Sequence, residues 1–265
     1  MSEHLAQIRC FLLDMDGTFY LGDRLLEGAL RFMDVLQAQR KEFLFLTNNS
    51  SKHARQYAEK ITRLGLPIPE TKVLTSGEAT ARHLLTRRLN ARLFVVGTPA
   101  LEEEFRAHGF ALDPDQPDVA VLGFDTTLTY QKLWKLCDFV RAGLPYIATH
   151  PDFNCPTETG FMPDIGAMIA FVKASTGREP DLVIGKPNRM IVEAAAQKMN
   201  VPLDVLGMIG DRLYTDIALG QTSGITTVLV LSGETRLEDV AASPFQPDYV
   251  FDNLGAVADW LLATG

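Results

Sequence analysis

The sequence predicts an α/β protein: a doubly wound, Rossmann-like parallel sheet, interrupted by a second, inserted α/β module. Short apolar runs of strand length alternate with segments of helical spacing along the 265 residues. Polar clusters of one style follow these runs near both ends of the chain, and between them lies a stretch of about 100 residues, which is domain-sized. We therefore predict a core made of residues 1–76 and 180–265, with an inserted α/β cap at 77–179.

The first strand is predicted at residues 8–13, a mostly apolar run that leads directly into Asp14-Met15-Asp16-Gly17-Thr18. In an open α/β sheet, ligands bind at the carboxyl ends of the strands. Asp14 and Asp16 are two residues apart, so an extended chain would point both carboxylates to the same side. Two carboxylates held so close repel each other, which favours a bound cation or a shared proton. Taken alone, the same residues also fit a polar turn after a strand.

The later elements of the outer segments are predicted from apolar residues at helical spacing, from short apolar strands and from Gly65, which closes a helix. They are a helix at 28–40, a strand at 43–46, a helix at 52–65, a strand at 183–184, a helix at 188–199, a strand at 205–209, a helix at 214–223, a strand at 226–231, a helix at 235–242, a strand at 249–251 and a helix at 254–263. Strands that alternate with helices in this way predict a parallel sheet.

The inserted segment repeats the alternation as a smaller layer of its own. Its predicted elements are a helix at 77–89, a strand at 93–97, a helix at 99–108, strands at 119–123 and 146–149 on either side of a helix at 130–142, a polar loop at 150–164 and a helix at 165–175. The two connections to the core, near residues 76–77 and 177–180, form a natural hinge arrangement.

Four polar clusters follow short apolar strands of the outer segments. They are Asp14 with Asp16, Thr47 with Asn48, Lys186, and Asp211 with Asp216. If the strands are parallel, all four clusters meet at one edge of the sheet. The sequence therefore predicts a single site assembled from distant parts of the chain.

The residue types in these clusters predict phosphate chemistry around a hard cation. The carboxylates of Asp14 and Asp211, with the backbone carbonyl of Asp16, are oxygen ligands that suit Mg²⁺. The five histidines are scattered, and no zinc-like spacing of His or Cys competes. A hydroxyl and amides at Thr47 and Asn48, at a helix start, suit a phosphate oxygen.

In this interpretation Lys186 supplies a positive charge to the phosphate and to a nearby carboxylate. Asp14 is the nucleophile that forms an aspartyl-phosphate, and Asp16 protonates the leaving oxygen and later activates water. Each cluster also has a plain structural alternative. Thr47 and Asn48 fit an N-cap, Lys186 fits an exposed turn, and Asp211 fits a strand-to-helix turn, with Asp216 as a helix-surface acid or an intrahelical partner.

The motifs together resemble those of the haloacid dehalogenase (HAD) superfamily, in particular its NagD-like phosphatases, which carry an inserted α/β cap. The resemblance is carried by Asp14-Met15-Asp16-Gly17-Thr18, Leu46-Thr47-Asn48-Asn49-Ser50, Ile184-Gly185-Lys186-Pro187 and Gly210-Asp211-Arg212-Leu213-Tyr214-Thr215-Asp216-Ile217. Their order and the position of the insertion match this subgroup along nearly the whole chain. The resemblance implies a HAD-type core and a Mg²⁺-dependent phosphomonoester hydrolase.

By motif position, the resemblance gives each cluster a role. It implies that Asp14 is the nucleophile and Asp16 the acid and base, that Asp14, the Asp16 carbonyl and Asp211 contact the metal, that Thr47, Asn48 and Lys186 contact phosphate, and that Asp216 is a supporting acid. The loop at 150–164 resembles the family's cap loop, but His150 stands where Asn is usual and Asp164 where Gly is usual. His150, Asp152, Asn154 and Glu158 are therefore candidates for substrate contact, and a solvated loop tied by turn bonds is the alternative.

The implied substrate is a small phosphorylated metabolite, such as a nucleotide or a sugar phosphate, with p-nitrophenyl phosphate as a test compound. A phosphotransferase on the same scaffold and a non-catalytic binding protein are the alternatives. A dehalogenase would need neither a metal nor a second aspartate in the first motif, so Asp16 and Asp211 argue against it.

Composition narrows the partners. A formal net charge of −8 argues against nucleic acid or an anionic membrane as the main partner. Three widely separated cysteines without a C-x-x-C pair fit a reduced, cytoplasmic protein, and the chain starts without a recognisable signal peptide or membrane-length apolar run. An exposed apolar patch on the inserted module would indicate a homodimer.

Overall fold

The computed structural model describes residues 3–87, 90–157 and 159–264. The strands are β1 (Cys10–Leu13), β2 (Tyr20–Leu21), β3 (Arg24–Leu25), β4 (Glu42–Thr47), β5 (Val73–Thr75), β6 (Arg92–Val96), β7 (Ala111–Leu112), β8 (Val119–Leu122), β9 (Tyr146–Ala148), β10 (Asn154–Thr157), β11 (Gly160–Pro163), β12 (Leu182–Val183), β13 (Leu206–Gly210), β14 (Thr226–Val230) and β15 (Tyr249–Phe251). The helices are α1 (Glu3–Gln7), α2 (Ala29–Ala38), α3 (Ala54–Arg63), α4 (Ser76–Arg87), α5 (Pro99–Ala107), α6 (Tyr130–Arg141), α7 (Ile165–Thr176), α8 (Arg189–Met199), α9 (Ala218–Ser223), α10 (Leu237–Ala242) and α11 (Leu254–Thr264). Short 3₁₀ turns lie at Glu70–Lys72 and Leu203–Val205, and a π-helical turn at Leu213–Ile217.

Chain contacts divide the protein into two compact units. The core unit contains the chain up to Thr47, Tyr57–Leu74 and the chain from Lys186 onward, and the inserted unit contains Asn48–Gln56 and Thr75–Gly185. The domain limits expected from the sequence, 1–76 and 180–265 against 77–179, stay a prediction. None of the helices in the described part of the chain is long and apolar enough to cross a membrane.

The core unit is built on a six-stranded sheet in the order β15-β14-β13-β1-β4-β5. Strand β1 runs parallel to both of its neighbours, β13 and β4, and all four of its residues are fully buried. Strands buried on both faces are typical of doubly wound sheets covered by helices. The fold class predicted from the sequence is confirmed.

The register of the central strands aligns their carboxyl ends. Leu13, the last residue of β1, is paired with Ile209 of β13 on one side and with Phe45 of β4 on the other. The residues that follow, Asp14 in the first loop and Asp211 after β13, therefore leave the sheet at the same edge.

The inserted unit has its own five-stranded parallel sheet, in the order β12-β9-β8-β6-β7. Apolar side chains of α6 and α7 pack on it, among them Leu136, Val140 and Val172. The predicted loop at 150–164 is wrong in part, because β10 and β11 pair there as an antiparallel hairpin. Proline residues within both strands hide the hairpin from pattern analysis, since proline counts against a strand.

The strand before Lys186 was expected in the core sheet, and this expectation is wrong. Leu182 and Val183 form β12, which pairs with β9 at the edge of the inserted unit's sheet. A strand of two residues carries no periodicity that could assign it to one sheet or the other.

The predicted helix at 214–223 is irregular. It begins as the π-helical turn Leu213–Ile217 and becomes α-helical only at Ala218. Within this turn Asp216 is fully buried, so the alternative of a helix-surface acid is wrong. Single π turns are frequent at functional sites.

Candidate active site

Lys186 joins two carboxylates at the end of β1. Its Nζ lies 2.5 Å from Oδ1 of Asp14 and 2.6 Å from Oδ1 of Asp216, and it also donates to the backbone oxygen of Leu46 at 3.4 Å. The lysine is 3% exposed, so the alternative of an exposed turn lysine is wrong. Burial alone would lower the pKa of Lys186, but Asp14 and Asp216 outweigh it and raise this pKa.

Asp14, Asp211 and Asp216 form a buried acidic cluster. One oxygen of each lies within 4.8 Å of the others. Burial raises the pKa of Asp14, the two neighbouring carboxylates raise it further, and Lys186 opposes them. Burial and then Asp216 raise the pKa of Asp211 to about 6. The cluster therefore holds more negative charge than Lys186 alone can balance.

This donor set fits a hard divalent cation. Carboxylate oxygens are the ligands that Mg²⁺ and Ca²⁺ prefer, and a divalent charge would balance the surplus. Each of the three carboxylates has at least one oxygen that Lys186 does not contact. Asp216 is the least suited, because Lys186 holds one of its oxygens and the backbone N–H of Arg212 donates to the other at 3.2 Å.

Gly17 makes room for the carboxylate of Asp211. Its backbone has φ +86°, and a Cβ at this position would lie 2.4 Å from Oδ2 of Asp211. Any other residue would meet both a strained backbone and a collision. The next residue, Thr18, donates from Oγ1 to Oδ1 of Asp211 at 3.4 Å. The loop of the first motif, through Gly17 and Thr18, therefore leaves space for the carboxylate of Asp211 in the fourth motif and contacts it.

Asp16 is exposed and lies outside the strand. Because β1 ends at Leu13, the alternation of side chains along a strand does not extend to Asp16. The prediction that an extended strand points the carboxylates of Asp14 and Asp16 to the same side is therefore wrong. The chain turns back instead, with the Gly17 N–H donating to the backbone oxygen of Tyr20 at 2.8 Å. Burial and then the carboxylate of Asp16 raise the pKa of Tyr20. The structure thus places Asp16 beside the buried Tyr20, in the loop between β1 and β2.

Thr47 and Asn48 do not stand at a helix start. Thr47 is the last residue of β4 and is nearly buried, while the next helix begins only at Ala54. The expectation of a helix N-terminus at these residues and the alternative of an N-cap are both wrong. The side-chain amide of Asn48 donates to both oxygens of Asp152, at 3.1 and 3.2 Å, within the inserted unit.

The substrate-contact candidates of the inserted unit differ in exposure. His150 is fully buried, and its Nε2 lies 3.1 Å from Oδ1 of Asp164. Asp152 is half-buried, and Asn154 is exposed on β10. Glu158 lies outside the described residues. The alternative of a solvated loop is wrong for His150, because its side chain is fully buried. Substrate contact by these residues stays a prediction.

Sequence reasoning missed the loop that follows β14. Ser232 donates from Oγ to the backbone oxygen of Gly17 at 2.9 Å, and the Glu234 N–H donates to Oδ2 of Asp211 at 2.7 Å. The same rule that identified the other clusters, polar residues at the carboxyl end of a core strand, would have found it. It was missed because residues 232–234 lie between the predicted strand at 226–231 and the predicted helix at 235–242 and were given no role.

Comparison with known proteins agrees with this geometry. Residues 11–111 match the family described as haloacid dehalogenase-like hydrolase, and residues 183–257 match a family described as HAD-hydrolase-like. The chain belongs to the haloacid dehalogenase-like hydrolases. Within them it is a NagD-like enzyme, and the predicted class, a phosphatase acting on phosphoric monoesters, is confirmed.

Three relatives illustrate the range of the family. The structure of a 4-nitrophenylphosphatase from Thermotoga maritima superposes with a TM-score of 0.94 at 50% identity, covering 96% of this chain and 98% of that one. A 5′-nucleotidase of Bacillus subtilis is 32% identical over 95% of this chain and 96% of its own. An acid sugar phosphatase of Staphylococcus epidermidis is 34% identical over 96% of this chain and 99% of its own.

Proposed function

We propose that the chain is a Mg²⁺-dependent phosphatase that releases phosphate from a small metabolite, such as a nucleotide or a sugar phosphate, and from p-nitrophenyl phosphate. The observation that carries this proposal is the buried Asp14 carboxylate at the end of β1, held by Lys186 beside Asp211 and Asp216. The relatives named above for 4-nitrophenyl phosphate, nucleotides and sugar phosphates support the substrate class.

Three groups of the core unit would hold the Mg²⁺: the carboxylates of Asp14 and Asp211 and the backbone carbonyl of Asp16. When bound, the ion supplies positive charge that screens the nucleophile from the phosphate and stabilises charge during transfer. Asp216 supports this set, because it fixes Lys186 by an ion pair of 2.6 Å. The cation would also relieve the repulsion that raises the pKa of Asp14 and Asp211.

The proposed reaction has two steps. In the first, a carboxylate oxygen of Asp14 attacks phosphorus, the bond to the leaving oxygen breaks, and the Asp16 carboxylic acid gives that oxygen its proton. In the second, Asp16 takes a proton from water as the water oxygen attacks phosphorus. The bond to Asp14 then breaks, and inorganic phosphate leaves.

Two residues of the core unit are proposed to bind the phosphoryl oxygens: Lys186 with its ammonium and Thr47 with its hydroxyl. Lys186 is suited to this because it already bridges the nucleophile and Asp216. Asn48 keeps its proposed phosphate contact by its position after Thr47 only, since its side-chain amide donates to Asp152.

A panel of phosphorylated metabolites, assayed with Mg²⁺ and with EDTA, tests the proposal. We expect phosphate release from p-nitrophenyl phosphate and from a subset of the nucleotide and sugar phosphates, and loss of both with EDTA. Absence of Mg²⁺-dependent release across the panel would contradict it. Added alcohols or sugars separate the alternative, because a phosphotransferase would yield a phosphorylated acceptor in place of free phosphate.

The finer partner and location statements stay predictions. They are a homodimer, a cytoplasmic location, the absence of nucleic-acid and membrane partners, and substrate contacts by His150, Asp152, Asn154 and Glu158. The described cysteines, Cys10, Cys137 and Cys155, are free thiols, in keeping with a reduced compartment.

A further inference from the structure

The segment Ser232–Thr235, which we call the clamp loop, holds Asp211 by its backbone. The Glu234 N–H donates to Oδ2 of Asp211 at 2.7 Å, and the Thr235 N–H donates to the backbone oxygen of Asp211 at 3.2 Å. A Cβ at Gly233 would lie 2.0 Å from Oδ2 of Asp211, so only glycine lets the loop approach this closely. The position of Asp211 therefore depends on where the clamp loop lies.

The carboxylate of Glu234 fastens the clamp loop to the chain that follows Asp211. Tyr214 donates from its hydroxyl to Oε1 of Glu234 at 2.9 Å, and Nε of Arg212 lies 3.0 Å from Oε2. Arg212 is the residue directly after Asp211. The backbone N–H of Glu234 contacts Asp211, and the carboxylate of Glu234 contacts Arg212, the next residue along the chain. These two contacts close a ring that contains Asp211.

The two carboxylate oxygens of Asp211 differ in their hydrogen-bond partners. Oδ2 accepts a short hydrogen bond from the N–H of Glu234, whereas in the part of the chain that the structure describes Oδ1 accepts a long contact of 3.4 Å from Thr18. A cation would therefore meet Oδ1, the oxygen with acceptor capacity to spare. A carboxylate free to rotate would have to be ordered again on each binding event.

Glu234 also restrains a competing charge. Arg212 directly follows Asp211 in the chain, and its side chain is only 18% exposed. A cation this close to the acidic cluster competes with a divalent ion for the same carboxylates. The carboxylate of Glu234 gives the guanidinium a partner outside the acidic cluster, 3.0 Å from Nε.

We propose that Glu234 is a positioning residue for the metal carboxylate Asp211: it orients Oδ1 toward the cation and holds Arg212 away from the acidic cluster. The proposal rests on the proposed function, because it takes Asp211 as a Mg²⁺ ligand. The contacts of Glu234 are with Tyr214, Arg212 and Asp211 and not with Asp14 or Asp16, so we expect its effect on metal affinity and not on the chemical step.

The test is titration calorimetry of the full chain with MgCl₂ in the absence of substrate. We expect Glu234→Ala to weaken Mg²⁺ binding about 10-fold, the lower end for residues that orient a metal ligand, because Glu234 is half-exposed. Glu234→Gln keeps an acceptor for Tyr214 but loses the charge that holds Arg212, so we expect about a 3-fold loss. Glu238→Ala is the matched control, an exposed glutamate four residues along the chain.

A second measurement separates positioning from general damage to the fold. With p-nitrophenyl phosphate at saturating Mg²⁺, we expect kcat of both Glu234 variants within about twofold of the wild type, with the Mg²⁺ concentration for half activity shifted as in the calorimetry. Mg²⁺ affinity within twofold of the wild type for both variants, or an equal loss in Glu238→Ala, would overturn the proposal.

If Glu234→Ala does not fold, Glu234→Gln decides the question by the same thresholds. Failure of this proposal stays distinguishable from failure of the proposed function. A wild-type protein that binds Mg²⁺ and releases phosphate, with unaffected Glu234 variants, refutes only the role of Glu234. A wild-type protein without Mg²⁺-dependent phosphate release refutes the proposed function.

Discussion

Two clusters of metal-ligand residues have similar spacing in this protein but different surroundings. In the core unit they are Asp14, Asp211 and Asp216, and in the inserted unit they are His150, Asp152 and Asp164. In each cluster the ligand atoms lie within 4.8 Å of one another, and most of the side chains are buried. By distance alone, the two clusters could not be told apart.

The surroundings of the cluster in the inserted unit satisfy it from within. Oδ1 of Asp164 accepts from the Ile165 N–H at 2.6 Å, as the N-cap of α7, and lies 3.1 Å from Nε2 of His150. Both oxygens of Asp152 accept from the amide of Asn48. These contacts are those of a folding element: a capped helix and a buried histidine with a fixed partner.

The cluster in the core unit is not balanced in this way. Two of its three carboxylates, Asp14 and Asp216, pair with one lysine, and burial and mutual repulsion raise the pKa of Asp14 and Asp211. Short distances between ligand atoms make a metal site geometrically feasible in both clusters. An excess of buried negative charge, which only the core cluster has of the two, favours binding of a cation.

The largest effect is expected for Asp14→Asn, which removes the nucleophile from the charged cluster. An amide cannot form the aspartyl-phosphate, so we expect phosphate release from p-nitrophenyl phosphate to fall at least about 1,000-fold. The control is Asp115→Asn, whose side chain is 80% exposed in the inserted unit. Retention of more than a tenth of the wild-type kcat in Asp14→Asn would show that the cluster does not supply the nucleophile.

The second effect compares the two clusters directly by their affinity for Mg²⁺. Asp211→Asn removes a charged ligand, and we expect Mg²⁺ binding in calorimetry to weaken about 100-fold. Asp164→Asn, the matched change in the other cluster, keeps an oxygen that can cap α7 and should leave Mg²⁺ affinity within twofold of the wild type. A larger loss in Asp164→Asn than in Asp211→Asn would reverse the assignment of the two clusters.

The parts of this comparison that the sequence predicted share a local cause. Asp14 and Asp211 each follow a buried strand directly, and a parallel sheet brings such strand ends together without any knowledge of side chains. Lys186 was predicted in the site although its preceding strand was assigned to the wrong sheet. Its position after the inserted segment was enough, because the chain must return to the core there.

The parts that could not be predicted depend on pairings between distant residues. Asn48 and Asp152 are 104 residues apart, and no spacing rule connects an amide after β4 to an acid in the loop after β9. The histidine at 150 was assigned to substrate contact because the family resemblance emphasised its difference from the usual residue. Its complete burial could not be predicted, because burial of a polar side chain in a loop leaves no periodic signal.

The third effect is on the free energy of unfolding, and here we expect the larger consequence from the cluster in the inserted unit. Asp164→Ala removes the cap of α7 and leaves the buried His150 without its partner, so we expect a loss of about 3 kcal/mol in the free energy of unfolding. Urea unfolding of the Mg²⁺-free protein measures it, with Asp115→Ala as the exposed control. A loss below about 1 kcal/mol would mean that the contacts in the inserted unit are not structural.

The smallest effect concerns the pH dependence of the Mg²⁺-free protein. Burial and then Asp216 raise the pKa of Asp211 to about 6, from its ordinary value of 3.8. The folded state therefore binds a proton that the unfolded state releases, and Asp211 makes the protein less stable as pH rises from about 4 to 6, with no further loss above that.

Asp211→Asn lacks this ionisation. In EDTA we expect the variant to become more stable than the wild type by about 2 kcal/mol at pH 7, with the difference vanishing near pH 4. Urea unfolding of both proteins across this range measures the difference, and addition of Mg²⁺ should stabilise the wild type more than the variant, because only the wild type keeps the ligand. A difference that stays constant with pH, or that favours the wild type increasingly as pH rises, would show that the core cluster is as well balanced as the one in the inserted unit.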